Sequence, residues 1–215
     1  MFIYLGYLFF NPESELFHWL TLVIVPFLLL RVIQRRATPK LSFRLSLASV
    51  GLARGNLKTG VIWATGLGII LGFLQIFLSR RGGEIEGLFS SGKVIYVLPL
   101  ALMMILFTAG FTEEFFFRGI LQTRLQWLIN SKVLSVLICA ALFGLYHLPY
   151  AYMNTNWPSH GDWWSAVSTS LAEGFPGGLI LGIVYFRSRN NLLASVVVHT
   201  LMNTLPAMTM IKFGS

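Results

Sequence analysis

Three observations predict an all-α fold, a polytopic transmembrane helix bundle of about six spans. Hydrophobic residues make up 55% of the chain and charged residues 11%, with a mean hydropathy of +0.71, too little polar surface to cover a water-facing globule. Apolar stretches of roughly 20 residues, the length that crosses a hydrocarbon core, recur along the chain. Basic residues flank these stretches, so the net charge of +8 reads as membrane topology and not as a nucleic-acid-binding face. With 215 residues there is room for several spans and their loops but not for a separate soluble domain. Residues 1–215 are therefore expected to form a single integral-membrane domain.

The first 30 residues hold no Lys or Arg and no small-residue cleavage pattern, which argues against a cleaved signal peptide. Met1 to Phe10 is too short to span and reads as an interfacial or docking segment. The six expected spans are Leu16 to Ile33, Gly60 to Leu78, Val94 to Thr112, Val133 to Tyr152, Trp163 to Phe186 and Leu192 to Ile211. The first is the weakest, because it carries His18 and Pro26 and ends at Arg31; it is expected to be short, kinked or partly interfacial. Between the first two spans, Leu41, Phe43, Leu45 and Leu47 alternate with Ser42, Arg44 and Ser46, a period that suits an extended or surface-lying segment and not a helix. The third span has no Pro or Gly break from Thr112 into Glu-Glu-Phe-Phe-Phe-Arg, so its helix is expected to run on toward Ile129. No internal repeat or low-complexity tract is evident.

Six crossings place the loops on alternating sides, and the basic residues then divide 12 against 4. Five acidic residues, Glu13, Glu15, Glu84, Glu86 and Asp162, fall on the poorer side. Cytoplasmic loops carry the excess of Lys and Arg, so the basic loops are expected in the cytoplasm and both termini outside. Cys139 is the lone cysteine, so no intrachain disulfide framework exists.

Ionisable groups inside spans cost about 2.5–3.5 kcal/mol each on insertion scales and need a partner or a function. Glu113 and Glu114 are successive on a helix, so their side chains diverge by about 100° and cannot share one role. Glu114 and Arg118 stand at i,i+4 with the acid first, the favoured order for a helical ion pair, and Gln122 extends that stripe. His147 follows Phe143 by one turn. His199 and Asn203 repeat that spacing on the last span, with Ser195 one turn earlier. Each stripe alone fits a plain interhelical hydrogen bond. Together, stripes on three spans satisfy one another only by converging inside the bundle, in a polar pocket sealed from lipid. Such a pocket holds the parts of a hydrolase: a carboxylate near an imidazole to take a proton from water, and a second imidazole with an amide to stabilise an oxyanion. Glu173, beside the Gly-Phe-Pro-Gly-Gly break, is expected to cap or line a kink, and His18 and His160 to lie at interfaces.

Glu113-Glu114-Phe-Phe-Phe-Arg118, Phe143-Gly-Leu-Tyr-His147 and His199-Thr-Leu-Met-Asn203 resemble the three ordered motifs of the CPBP family, the CAAX-protease and bacteriocin-processing membrane proteins. The resemblance covers about residues 107 to 205, within a motif-bearing core of about 93–211. It implies an intramembrane endopeptidase of the type II CAAX-endopeptidase kind. Glu113 and His147 would activate water, and His199 with Asn203 would steady the tetrahedral intermediate. Glu114, Arg118 and Phe143 would support them. The implied partners are the bilayer and a membrane-associated peptide or protein, lipidated or not, with no nucleic acid.

Two other readings stay open. A proton-coupled transporter also places Glu and His within spans, although paired broken spans in two halves are missing. A non-catalytic membrane protein that binds peptides, an immunity partner for example, would keep the same fold. No cofactor is expected, since the His-Glu-x-x-His helix is absent and His199 pairs with Asn203, a poor ligand and a good amide donor. The alternative is Zn²⁺ on Glu113, His147 and His199 with water in the fourth position.

Overall fold

A computed structural model describes residues 12–52, 57–79, 82–153, 155, 159–209 and 211. The Met1 to Phe10 segment lies outside them. Regular structure among the described residues is helical, in eight helices: α1 Glu15–Ala37, α2 Phe43–Ala48, α3 Leu57–Ser79, α4 Gly82–Ser90, α5 Val94–Ile129, α6 Lys132–Met153, α7 Trp163–Arg187 and α8 Leu192–Met208. Helices α1, α3, α5, α6 and α7 are long and apolar enough to cross a membrane. The chain is an all-α polytopic membrane bundle.

The sixth expected span is the 17-residue α8, about 25 Å long at 1.5 Å per residue. It packs against α3, α5 and α7, and Leu192, Ala194, Val198, His199 and Met208 on it are all buried. A helix enclosed by its neighbours need not match the bilayer's thickness itself. Asn191 caps its start by accepting from the Leu193 amide at 3.0 Å, and Asp162 and Ser131 do the same for α7 and α6.

Two expectations are corrected. Helix α1 is not short: it runs for 23 residues, and a π-helical stretch over Trp19–Ile24 precedes Pro26, whose missing N–H a local change of helix register accommodates. The alternating segment is not extended either. Ser42 accepts from the Leu45 amide at 3.3 Å and starts the six-residue α2, in which Ser46 turns inward to accept from Arg31. Over so few residues, a cap and one polar anchor outweigh the alternation of apolar positions.

Helix α5 continues to Ile129 as expected, 36 residues in all, and ends where Asn130 takes the left-handed conformation. Two π-helical stretches interrupt it, Leu106–Gly110 and Phe115–Gln122, on either side of Glu113 and Glu114. Such widened turns commonly mark functional positions in helices.

Candidate active site

Glu114, Arg118 and Gln122 follow one face of α5, and all three are fully buried. Glu114 Oε1 accepts from Arg118 Nη1 at 2.9 Å, the i,i+4 pair expected from the spacing. Arg118 Nη2 donates to the Gly178 carbonyl at 3.1 Å, and its guanidinium lies 4.4 Å from the Phe143 ring centre. Gln122 Nε2 donates to the Gly182 carbonyl at 3.1 Å. A buried ion pair survives only when extra hydrogen bonds offset its desolvation, and the Gly178 carbonyl of α7 supplies one to Arg118.

His199 on α8 joins this network. Its Nδ1 lies 2.8 Å from Glu114 Oε1, the oxygen that also receives Arg118. An oxygen that already accepts from Arg118 accepts the Nδ1 proton as well, which leaves Nε2 as the ring's working nitrogen. That Nε2 stands 3.9 Å from Glu113 Oε2. The gap is too long for a direct hydrogen bond, and Oε2 is buried with no hydrogen-bond partner among the described residues. Buried acceptors are almost always satisfied, so this oxygen is set for a proton from a molecule between the two side chains.

The two glutamates thus diverge as expected. Glu114 Oε1 is shared by Arg118 and His199, and although Oε2 of both glutamates lacks a hydrogen-bond partner among the described residues, that of Glu113 is the one 3.9 Å from His199 Nε2. His147, half-buried at the end of the α6 main helix, has its Nδ1 2.8 Å from the Phe143 carbonyl. A carbonyl only accepts, so Nδ1 carries the proton and Nε2 is free. The Phe143 ring touches both imidazoles, with centroids 4.8 Å from His147 and 6.0 Å from His199. Asn203 sits half-buried one turn beyond His199 and makes no hydrogen bond among the described residues. Cys139 Sγ donates to the Phe117 carbonyl at 3.1 Å, a packing role. Glu173 lies inside the unbroken α7, three residues before Pro176, so it caps no helix end.

Two features of the site escaped sequence reasoning. One is the bond from Glu114 to His199, which joins residues 85 apart. The other is the set of small residues Gly174, Gly178 and Gly182 on α7. A Cβ on Gly174 would stand 2.6 Å from Gly144 Cα and 3.4 Å from His147 Nδ1; one on Gly178 would stand 2.9 Å from Ala140 Cα. The four-residue spacing of these glycines was the available signal, a small-xxx-small stripe that marks close helix contact in membranes. As a donor set for a metal, no three His, Cys, Asp or Glu side chains among the described residues gather closely enough to hold an ion.

A family model described as type II CAAX prenyl endopeptidase Rce1-like matches residues 96–205, a span that contains every side chain of this cluster. No curated protein and no solved structure matches the chain.

Proposed function

The chain belongs to the Rce1-like family of type II CAAX prenyl endopeptidases, and from that premise we propose that it hydrolyses a peptide bond of a membrane-associated protein or peptide within the bilayer. The observation that carries this reading is Glu113 Oε2, buried without a partner and 3.9 Å from His199 Nε2. A water held there gives its proton to Glu113, with His147 assisting, as its oxygen attacks the scissile carbonyl carbon. The carbonyl oxygen becomes an oxyanion that His199 Nε2, in its protonated form, and the Asn203 amide stabilise by donating hydrogen bonds. Collapse breaks the C–N bond, Glu113 returns its proton to the leaving amine, and a new carboxylate remains. Glu114 and Arg118 position His199.

The reaction in this proposal needs no metal: His199 is paired at i+4 with Asn203, a poor ligand and a good amide donor for an oxyanion. Metal analysis of purified active protein tests it: activity persists after chelation, whereas stoichiometric zinc whose removal and return switch cleavage off and on would assign the ion to Glu113, His147 and His199. For topology, we propose cytoplasmic basic loops and external termini. A thiol introduced at Arg36 is expected to react only from the cytoplasmic side.

Glu113→Gln tests the mechanism. Mass spectrometry of membrane-associated peptides is expected to show cleavage at least about a hundredfold slower than wild type, with an unchanged melting temperature in detergent. Normal cleavage by that variant would remove the proposed base. Neither the carrier nor the non-catalytic reading is favoured by the family.

A further inference from the structure

An open groove of about 610 Å³ runs between α1, α2 and α5. Phe27 and Leu28 of α1, Phe43 of α2, and Phe111 and Phe115 of α5 line it, and its charged lining residues are Arg31 and Arg35. The α1 residues on its wall extend from Trp19 to Arg35, a rise of about 24 Å at 1.5 Å per residue, which exceeds one leaflet of a hydrocarbon core of about 30 Å. One end of the groove is therefore apolar and the other basic.

The basic end is built and uncompensated. Arg31 Nη1 donates to Ser46 Oγ at 2.7 Å, and its guanidinium lies 5.3 Å from the Phe43 ring centre, so its position is fixed. Arg35 beside it on the groove wall is exposed, as are Arg36, Lys40 and Arg44 close by in sequence, and none of them has an ion-pair partner among the described residues. No Asp or Glu occurs in the sequence between Glu15 and Glu84. An occupant that suits both ends has a long apolar chain and a head of net negative charge.

We propose that this groove is a binding site for one anionic glycerophospholipid, with an acyl chain along α1 between Phe27 and Phe115 and the phosphate at Arg31 and Arg35. A zwitterionic lipid offers the same chain but carries its own cation toward Arg31 and Arg35. The site stands apart from the peptidase reading, since two of its three walls, α1 and α2, precede the matched residues 96–205.

Native mass spectrometry of the purified full chain in detergent tests this, with phosphatidylglycerol and phosphatidylcholine of identical acyl chains added at equal concentration. One phosphatidylglycerol is expected to be retained, at least fivefold over phosphatidylcholine. Leu28→Trp, which fills the groove, and Arg35→Glu, which reverses its basic end, should each cut retention at least fivefold. Arg187→Glu, a charge reversal at the far end of α7, should leave it unchanged. Equal retention of the two lipids overturns the proposal, as does an equal loss in Arg187→Glu. Displacement of the lipid one for one by a prenylated peptide also overturns it, because the groove would then serve the substrate. Should a variant fail to fold by circular dichroism, the lipid preference and the competition in wild-type protein still decide.

Discussion

On α3, Gly60, Ala64, Gly68 and Gly72 recur at every fourth residue and bring α8 so near that a Cβ on Gly68 would stand 2.9 Å from Leu201 Cβ. On α7, Gly174, Gly178 and Gly182 do the same toward α6, where a Cβ on Gly178 would stand 2.9 Å from Ala140 Cα. The first contact is mainly apolar, part of a cluster with Ala64, Val198 and Met202, with a polar end at Gly60, where a Cβ would stand 2.8 Å from Asn191 Nδ2. The second also presents carbonyl oxygens, which Arg118 and Gln122 take at 3.1 Å each. Lipid tails are as apolar as leucine, so helices in a bilayer associate through close packing and hydrogen bonds. Small residues supply both, and the α7 ladder aims its carbonyls at side chains of the polar pocket. The polar pocket therefore depends on α7 in a way that it does not depend on α3.

Four substitutions rank that difference. Arg118→Ala should have the largest effect, a loss of about 3–5 kcal/mol because Glu114 is left buried without its guanidinium partner. Thermal unfolding in detergent measures it, and hydrolysis should disappear with it. Gly178→Ala comes next. The added methyl meets Ala140 backbone and also displaces an acceptor of Arg118, so stability should fall by about 1–3 kcal/mol and activity per folded molecule should fall too.

Gly68→Ala should cost a similar amount of stability, about 1–3 kcal/mol, because its Cβ would stand 2.9 Å from Leu201 Cβ and 3.2 Å from Val198 Cα. Activity per folded molecule should stay near wild type. If hydrolysis fell as far as in Gly178→Ala, the two ladders would not differ in kind. Gly66→Ala is the smallest and opposite in sign: nothing lies within 4 Å of its added Cβ, and removing a mid-helix glycine should raise stability by up to about 1 kcal/mol. A drop in melting temperature there would mean that α3 meets a neighbour at Gly66.

Elements that rest on periodicity within one helix were legible. The long α5, the Glu114 to Arg118 pair and the divergence of Glu113 from Glu114 all follow from 3.6 residues per turn and appear as expected. The alternating segment misled, because two interpretations of six residues differ by one cap and one anchor, Ser42 and the Arg31 bond to Ser46. Of the alternatives short, kinked or partly interfacial for α1, its 23 residues exclude the first, and only the backbone shows the π-helical stretch before Pro26.

By itself the sequence determined that this chain is a bundle of apolar helices with polar stripes on three of them, since burying lone charges in lipid costs too much to be accidental. It also determined the partner of Arg118 on its own helix. Only the tertiary structure decided that Glu114 also binds His199 and that Glu113 keeps an open oxygen facing the same ring. The reason is geometric. Which atoms meet across 85 residues depends on how closely α5, α7 and α8 approach, and that distance is set jointly by glycines on α3 and α7 and by the side chains they admit, a property of the assembled bundle and of no single helix.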